Sequence, residues 1–167
     1  MKKLLIIALA VASTLSINAQ SYSLQDIASS IKIFGSHVVY LEKHKVLAGS
    51  YDSVHLDRSY ITINLQGELR LDSLRSGSLR QVIAFDARDI SNDVMVVSHE
   101  IGGNKDRWDV ILKTKRNLDL IHFRNQQTNN YGVNVINEQL DVNKINIMFA
   151  SADAANRFRN IAKTVFK

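Results

Sequence analysis

The histidines are the side chains best suited to acid–base chemistry or metal binding near neutral pH. They are His37, His44, His55, His99 and His122, and no two of them form an HxH or HExxH arrangement. Common zinc sites need close ligand spacing, and the chain has no cysteine. We therefore expect no metal, no cofactor and no thiol nucleophile. A composite site, built by histidines and acids from different strands, stays open.

The serine and glycine motifs do not predict a catalytic centre. No GxSxG nucleophile elbow occurs, and Ser76-Gly77-Ser78 is typical of a flexible turn. Residues 102–105 (GGNK) lack the GxxxxGK[ST] spacing of a phosphate-binding loop, so we predict a hairpin loop there. The sequence favours a non-enzymatic protein. The alternative is a hydrolase that uses His99 or His122 with an acid from another strand.

Arginines recur every five residues in the segment 69–80, as Arg70, Arg75 and Arg80, with leucines between them. We predict a flexible, basic and partly apolar loop. Its arginines are the first candidate binding residues, and they would contact an anionic partner such as a polysaccharide or a lipid surface. The alternative is an exposed connection whose arginines only aid solubility.

A polar tract, residues 125–130 (NQQTNN), is followed by Tyr131. We predict a hairpin loop over this tract. Asn129, Asn130 and Tyr131 are the second set of candidate binding residues, because amide and tyrosine side chains offer hydrogen bonds and a stacking surface to sugars or peptides. The alternative is an ordinary polar loop.

The first 19 residues have the parts of a cleavable signal peptide. Lys2 and Lys3 precede an unbroken apolar run over residues 4–12, and Ala19 offers a cleavage position that would leave Gln20 first. The run is much shorter than the roughly 20 residues that span a bilayer. We therefore predict an exported protein, periplasmic or extracellular, with no transmembrane segment in the mature chain.

The charge of the chain does not indicate a nucleic-acid-binding protein. The formal net charge is +5, and cleavage after Ala19 would remove Lys2 and Lys3 but no acid, which leaves about +3. Nucleic-acid binding needs lysines and arginines clustered on one face, whereas here both signs are mixed along the chain. We therefore expect no nucleic-acid partner.

Hydrophobic periodicity predicts a short N-terminal helix over residues 23–33, capped by Ser23 and ended by Gly35. From Tyr60 the period changes to two, which predicts a hairpin with its turn at Gln66-Gly67. A second helix, capped by Ser151, closes the chain with an apolar face. Further strands are predicted at 81–85, 94–99, 108–114, 118–123 and 145–150.

The predicted fold class is mostly β (α+β): an antiparallel small barrel or sandwich of about seven strands, with a short N-terminal helix and a capping C-terminal amphipathic helix. We expect a single globular domain over residues 20–167. The order of strands and closing helix over residues 60–166, ending INIMFASADAANRFRNIAKTVF, resembles a pleckstrin-homology-like barrel. The leader's ending NAQ resembles signal peptides of Bacteroidetes-type bacteria.

A fold of this kind hosts many functions, so the resemblance alone implies none. Pleckstrin-homology-like domains bind phosphoinositide headgroups through a basic loop between their first two strands, or bind proteins. The corresponding turn here, Gln66-Gly67, has no basic cluster. We predict an exported, non-enzymatic binding or interaction module of the cell envelope, whose partner is a protein, glycan or lipid. The alternatives are a lipocalin-like carrier of a small apolar ligand and an envelope hydrolase.

Overall fold

The computed structural model describes residues 21–34, 38–42, 45–72, 75–101, 104–129 and 131–167. The predicted signal peptide lies outside these residues, as does Gly35, the predicted end of the first helix. Two helices and nine strands lie within them. They are α1 (Leu24–Phe34), β1 (Val38–Glu42), β2 (Lys45–Asp57), β3 (Tyr60–Asp72), β4 (Arg75–Asp86), β5 (Met95–Ile101), β6 (Asn104–Lys113), β7 (Ile121–Asn129), β8 (Asn134–Val142), β9 (Lys144–Phe149) and α2 (Ala152–Val165).

The strands form two antiparallel sheets. The larger sheet has the order β1-β2-β3-β4-β7-β8, and the smaller has the order β5-β6-β9. The chain thus leaves the larger sheet after β4, returns to it for β7 and β8, and ends in the smaller sheet before α2. This architecture confirms the mostly β, antiparallel fold with a helix near each end.

One face of the larger sheet supplies much of the core. Ile61, Ile63 and Leu65 alternate along β3 and are almost fully buried, while Thr62 and Asn64 between them are partly exposed. We call the first face the inner face and the second the outer face. This alternation is the period of two that a strand imposes on its side chains.

Both helices pack on this core. On α2, Phe158 is fully buried and its ring lies 5.2 Å from that of Phe149 in β9. On α1, Ile27 and Ile31 are fully buried in the same core. Residues before Tyr60 therefore belong to the core of the protein, although they lie outside the barrel resemblance. Neither helix in the described residues is long and apolar enough to cross a bilayer.

The two helix starts follow from their capping residues. The Ser23 backbone N–H donates to the Asp26 carboxylate at 2.7 Å, and the Asp26 N–H donates to the Ser23 hydroxyl at 3.4 Å. The Ser151 hydroxyl accepts from the Ala154 N–H at 3.2 Å. Each cap satisfies backbone donors that have no partner within the helix, so both predicted start positions are confirmed.

The predicted hairpin turn at Gln66-Gly67 is wrong. β3 continues through Gly67, which lies opposite Gly49 in β2 and Leu79 in β4. The alternation of apolar and polar residues that begins at Ile61 continues past Gly67. The strand follows this longer alternating run. The segment 69–80 is predicted as a flexible loop. Its described residues instead belong to the ends of β3 and β4, which pair with each other. Ser76-Gly77-Ser78 lies within β4, not in a turn.

Two further predictions on the chain after residue 100 need correction, and one strand was missed. The hairpin loop predicted at 102–105 is too long, since β6 begins at Asn104. Residues 125–129 of the tract predicted as a loop form the end of β7 instead. The strand β8 was not predicted at all. It is an edge strand with seven of its nine residues exposed, so it lacks the apolar alternation that marks a half-buried strand.

Candidate ligand-binding face

The outer face of β4, β7 and β8 carries the candidate site. Val82 lies opposite Arg124, and Arg80 lies opposite Gln126, so the two arginines are diagonal neighbours on adjacent strands. The Cα atoms of residues in that relation are about 7–8 Å apart, so two long side chains can both contact one small group bound between them. Sheet pairing thus brings together two arginines that are 44 residues apart in sequence.

Two shallow depressions lie side by side on this face. The first, which we call the arginine depression, has a volume of about 190 Å³ and is lined by Arg80, Val82, Arg124 and Gln126. The second, the histidine depression, has a volume of about 200 Å³ and is lined by Val82, Ala84, His122, Phe123, Arg124 and Gln139. They share Val82 and Arg124. We call the two together the outer groove.

The arginines of the outer groove have no ion-paired acid among the residues that the structure describes. Within the described residues, no ion pair joins Arg80 or Arg124 to a carboxylate, and both side chains are exposed. Arg88 is different, since its guanidinium lies 2.6 Å from Asp86 and holds the pKa of that carboxyl well below its usual range. The charge of the groove is therefore available to a ligand.

Polar side chains elsewhere on the outer face bond to one another. The Asn64 amide donates to the Ser53 hydroxyl at 3.0 Å, and the Gln66 amide donates to Asp52 at 3.3 Å. Cross-strand pairs of this kind stabilise a sheet and satisfy the groups that form them. These two pairs on β2 and β3 thus have hydrogen-bond partners within the sheet, which distinguishes them from the arginines on β4 and β7.

At the far end of the outer groove, His122 pairs with Asp141 of β8. The Nδ1 atom of His122 lies 2.5 Å from Asp141 Oδ1, and both side chains are more than half exposed. An ionised carboxylate only accepts hydrogen bonds, so Nδ1 is the donor. In the neutral ring this leaves Nε2 as a free acceptor at the histidine depression.

A second His–Asp pair lies on the smaller sheet, around a fully buried carboxylate. Asp109 accepts from Arg107 Nε and Nη2, each at 2.7 Å, and from the Asn146 amide at 3.1 Å. His99 Nε2 lies 3.2 Å from the same carboxylate. Such bidentate pairing with Arg107 satisfies the buried charge. Because the carboxylate is enclosed by its partners, this cluster is a structural element.

A tyrosine beside this cluster connects the two sheets. Tyr51 of β2 is 4% exposed, and its hydroxyl accepts from the Met148 N–H of β9 at 2.9 Å. Met148 lies opposite Asp109 in the smaller sheet. Burial raises the pKa of the Tyr51 phenol, so the group stays neutral under all ordinary conditions.

Neither imidazole lies beside a nucleophile or a set of metal ligands in the part of the chain that the structure describes. No serine or threonine hydroxyl is hydrogen-bonded to His99 or His122 there. Among the same residues, no three or more His, Cys, Asp or Glu side chains come together as a potential metal site. The two His–Asp pairs lie on different sheets and do not form one centre.

The predicted binding residues fall in different places. Arg80 lines the outer groove. The backbones of Arg70 and Arg75 lie at the ends of β3 and β4, opposite Ser76 and Asp72, and their side chains lie outside the described part. The three arginines are thus on two paired strands instead of one flexible loop.

The second set of predicted residues divides in the same way. The Asn129 side-chain oxygen accepts from the N–H groups of Tyr131 and Val133, each at 3.0 Å, so it holds the β7–β8 turn together. Gly132 completes this turn with a φ of 75°, a conformation that glycine adopts without strain. Tyr131 is 84% exposed at the tip. Asn130 lies outside the described residues.

Sequence reasoning missed Arg124, Gln126 and Gln139. His122, Arg124 and Gln126 alternate along β7, and that period of two is the signal by which a polar strand face is found. The partners on β8 gave no comparable signal. Which of them meets β7 depends on a strand pairing that no local pattern states.

Comparison with known proteins identifies no relative. No known protein family, no curated protein and no solved structure matches this chain. The pleckstrin-homology-like resemblance and the Bacteroidetes-type leader stay predictions.

Proposed function

We propose that the protein is an exported, non-enzymatic binding module of the cell envelope and that it holds an anionic ligand in the outer groove. One observation carries the proposal: Arg80 and Arg124 are diagonal neighbours that line one depression with no acid paired to either in the described residues. Arginine presents a planar fork of donors that matches carboxylate and phosphate oxygens. Two such forks across one small depression suit a ligand with at least one negative group.

The rigidity of the surface also supports a binding role. β4 pairs with β7 over eight consecutive positions, and both arginines lie within that paired stretch. At one end of it, Gly77 lies so close to the Thr128 carbonyl oxygen that a β-carbon would collide with it. A site on strands is held more firmly than one on a loop, so less entropy is lost when a ligand binds.

Binding by the full chain, isolated after export, tests the proposal. Isothermal titration with acidic polysaccharide is compared between the protein and the variant Arg80→Ala/Arg124→Ala. We expect a loss of at least about tenfold in affinity, since charge-assisted hydrogen bonds disappear. The matched control is Lys32→Ala/Lys163→Ala, which removes two exposed positive charges from α1 and α2. Equal losses of affinity in both variants would mean that binding depends only on net charge, and this would contradict the proposed site.

Export has its own test. N-terminal sequencing of the protein recovered from outside the cytoplasm should give Gln20 as the first residue, because the apolar run and Ala19 form the processing signal. An intact Met1 on the accumulated protein would contradict export.

The His122–Asp141 geometry favours one second candidate, a hydrolase. A carboxylate on Nδ1 with Nε2 free is the arrangement of a general base that activates water. Release of reducing ends or phosphate from envelope polymers by the purified protein, abolished in His122→Ala but retained in His99→Ala, would support this candidate over binding alone. Activity that survives His122→Ala would exclude it.

A further inference from the structure

The two depressions of the outer groove differ in chemistry although they share a wall. The arginine depression has two guanidinium groups and one amide, Gln126, around the side chain of Val82. The lining of the histidine depression includes the imidazole of His122 and the amide of Gln139, together with the apolar side chains of Val82, Ala84 and Phe123. Only Arg124 brings charge to both. One half of the groove, which we call the cationic half, thus has two guanidinium groups. In the other, which we call the neutral half, Arg124 is the only arginine of the lining, and Asp141 lies beside His122.

The cationic half suits a carboxylate on a ring. Two guanidinium groups on adjacent strands can both donate to one anion. Gln126, which lies opposite Arg80 and two residues from Arg124, can donate to or accept from a neighbouring hydroxyl. The Val82 side chain at the base offers an apolar contact to the C–H groups of that ring. A uronate, which is a sugar with a carboxylate in place of its terminal hydroxymethyl group, combines these features.

The neutral half suits a sugar without charge. In the neutral ring His122 Nε2 accepts a hydrogen bond, since Nδ1 is engaged with Asp141, and Gln139 both donates and accepts. Val82 and Ala84 line the same depression and offer it apolar contacts. Asp141 lies beside His122 at this end, and its negative charge disfavours a second carboxylate there. Hydroxyl groups above an apolar face are the surface that a neutral pyranose presents.

The spacing of the two halves fits adjacent units of one chain. Arg80, Val82 and Ala84 succeed one another on β4, so the depression centres are displaced by about two residues, or roughly 7 Å. The displacement is on the scale of one sugar unit. The same face continues along β7 past Thr128 to the turn where Tyr131 is 84% exposed. From residue 122 to residue 129 the strand spans roughly 24 Å, enough for several units.

Resting on the proposed function, we propose that the ligand is an acidic polysaccharide in which uronate and neutral sugars alternate. The uronate occupies the arginine depression and the neutral sugar occupies the histidine depression. Tyr131 stacks on a sugar further along the chain. The groove favours such a chain over an anionic membrane because its two guanidinium groups lie on a sheet face, back from the exposed turn. Arg80, level with Gln126, is roughly 10 Å along β7 from Asn129, and Arg124 is roughly 17 Å from it.

Three defined probes test this assignment by isothermal titration with the full exported chain. They are a hexasaccharide of alternating glucuronate and N-acetylglucosamine, a hexasaccharide of galacturonate only, and a neutral hexasaccharide of N-acetylglucosamine. Vesicles with one-third phosphatidylglycerol are the fourth arm. We expect the alternating chain to bind at least about tenfold more tightly than the galacturonate chain, and the neutral chain and the vesicles to bind least.

A variant of the neutral half separates this inference from the proposed function. In His122→Ala/Gln139→Ala the preference for the alternating chain over the galacturonate chain should fall to about twofold or less, while the galacturonate chain binds as before. The matched control, His55→Ala/Gln25→Ala, removes an exposed imidazole and an exposed amide outside the groove and should keep the preference.

Each of the other outcomes contradicts either the inferred ligand or the proposed function. The galacturonate chain could bind as tightly as the alternating chain or more tightly, while Arg80→Ala/Arg124→Ala still binds weakly. That result would contradict an alternating ligand but support the anionic site. Preferential binding of the vesicles replaces the polysaccharide with a membrane. Failure of all four probes to bind overturns the inference and the proposed function together.

Discussion

The two His–Asp pairs in the described chain have the same two residue types but different surroundings. His122 and Asp141 lie on the outer face of the larger sheet, where both side chains are more than half exposed and the outer groove adjoins them. Asp109 is fully buried in the smaller sheet, and its side chain contacts Arg107 and Asn146 as well as His99. The first pair has free hydrogen-bonding capacity, while the carboxylate of the second is fully engaged by its neighbours.

Burial, and not the pairing itself, decides what such a pair contributes. An exposed pair gains little stability because water competes for both partners. A buried carboxylate without partners costs several kcal/mol, so its partners become indispensable. We therefore expect changes around Asp109 to affect folding and changes around His122 to affect binding.

The largest expected effect follows from Asp109→Asn. The amide has nearly the same shape but no charge, so the Arg107 guanidinium, whose side chain is 13% exposed, loses the bidentate ion pair with Asp109. We expect a loss of about 3 kcal/mol in the free energy of unfolding. Urea unfolding followed by circular dichroism measures it. A loss below about 1 kcal/mol would mean that the two pairs do not differ as described.

A double substitution tests whether charge pairing is the reason for the large effect expected at Asp109. In Asp109→Leu/Arg107→Met both charges leave together, and apolar side chains of similar size replace them. Because neither member of the Arg107–Asp109 pair is left without the other, the loss should be smaller than for either single substitution. Additive losses would show that the cluster stabilises the fold through something other than charge pairing.

The next largest effect is expected from Tyr51→Phe, beside the buried pair. The substitution removes the acceptor of the Met148 N–H without changing the ring. An unsatisfied backbone donor costs about 1–3 kcal/mol, which urea unfolding detects. Tyr60→Phe is the matched control, since Tyr60 is 39% exposed and should lose less than about 0.5 kcal/mol.

The same residue predicts a dependence on alkaline pH. Burial raises the pKa of Tyr51 in the folded protein, while the unfolded chain has the ordinary value of about 10. Its contribution to stability is complete below pH ~10 and is lost as the pH rises above that value, by up to about 1.4 kcal/mol per pH unit. Between pH 9 and pH 11 the wild-type protein should therefore lose more stability than Tyr51→Phe. Parallel losses would contradict a buried phenol.

The elements were predictable where a local signal exists. Ser23 with Asp26 and Ser151 with Ala154 form caps within one helical turn, so their start positions could be read from neighbouring residues. The turn predicted at Gly67 was wrong because glycine permits a turn without requiring one. Only the pairing of β3 with both β2 and β4 keeps the strand extended through it.

The site was predictable only in part, for the same reason. Arg80 was found because arginines recur around it, but its neighbour in space, Arg124, lies on a strand whose register is set by long-range pairing. Arg80 was also placed on a loop, since nothing local indicates that residues 75–80 pair with residues 66–72 and 126–129. Long-range register fixes which side chains meet, and a single sequence does not state it.

The smallest expected effect on stability is that of Asp141→Asn. It removes the charge next to His122 in the exposed pair, and screening by water limits the cost to less than about 1 kcal/mol. Binding should respond instead, because a neutral amide at this position no longer repels a second carboxylate from the histidine depression. Affinity for the galacturonate hexasaccharide should rise about threefold to tenfold at low salt, and the gain should shrink in roughly 0.5 M salt. A variant that unfolds at clearly lower urea concentration, with unchanged binding, would give Asp141 the structural role assigned here to Asp109.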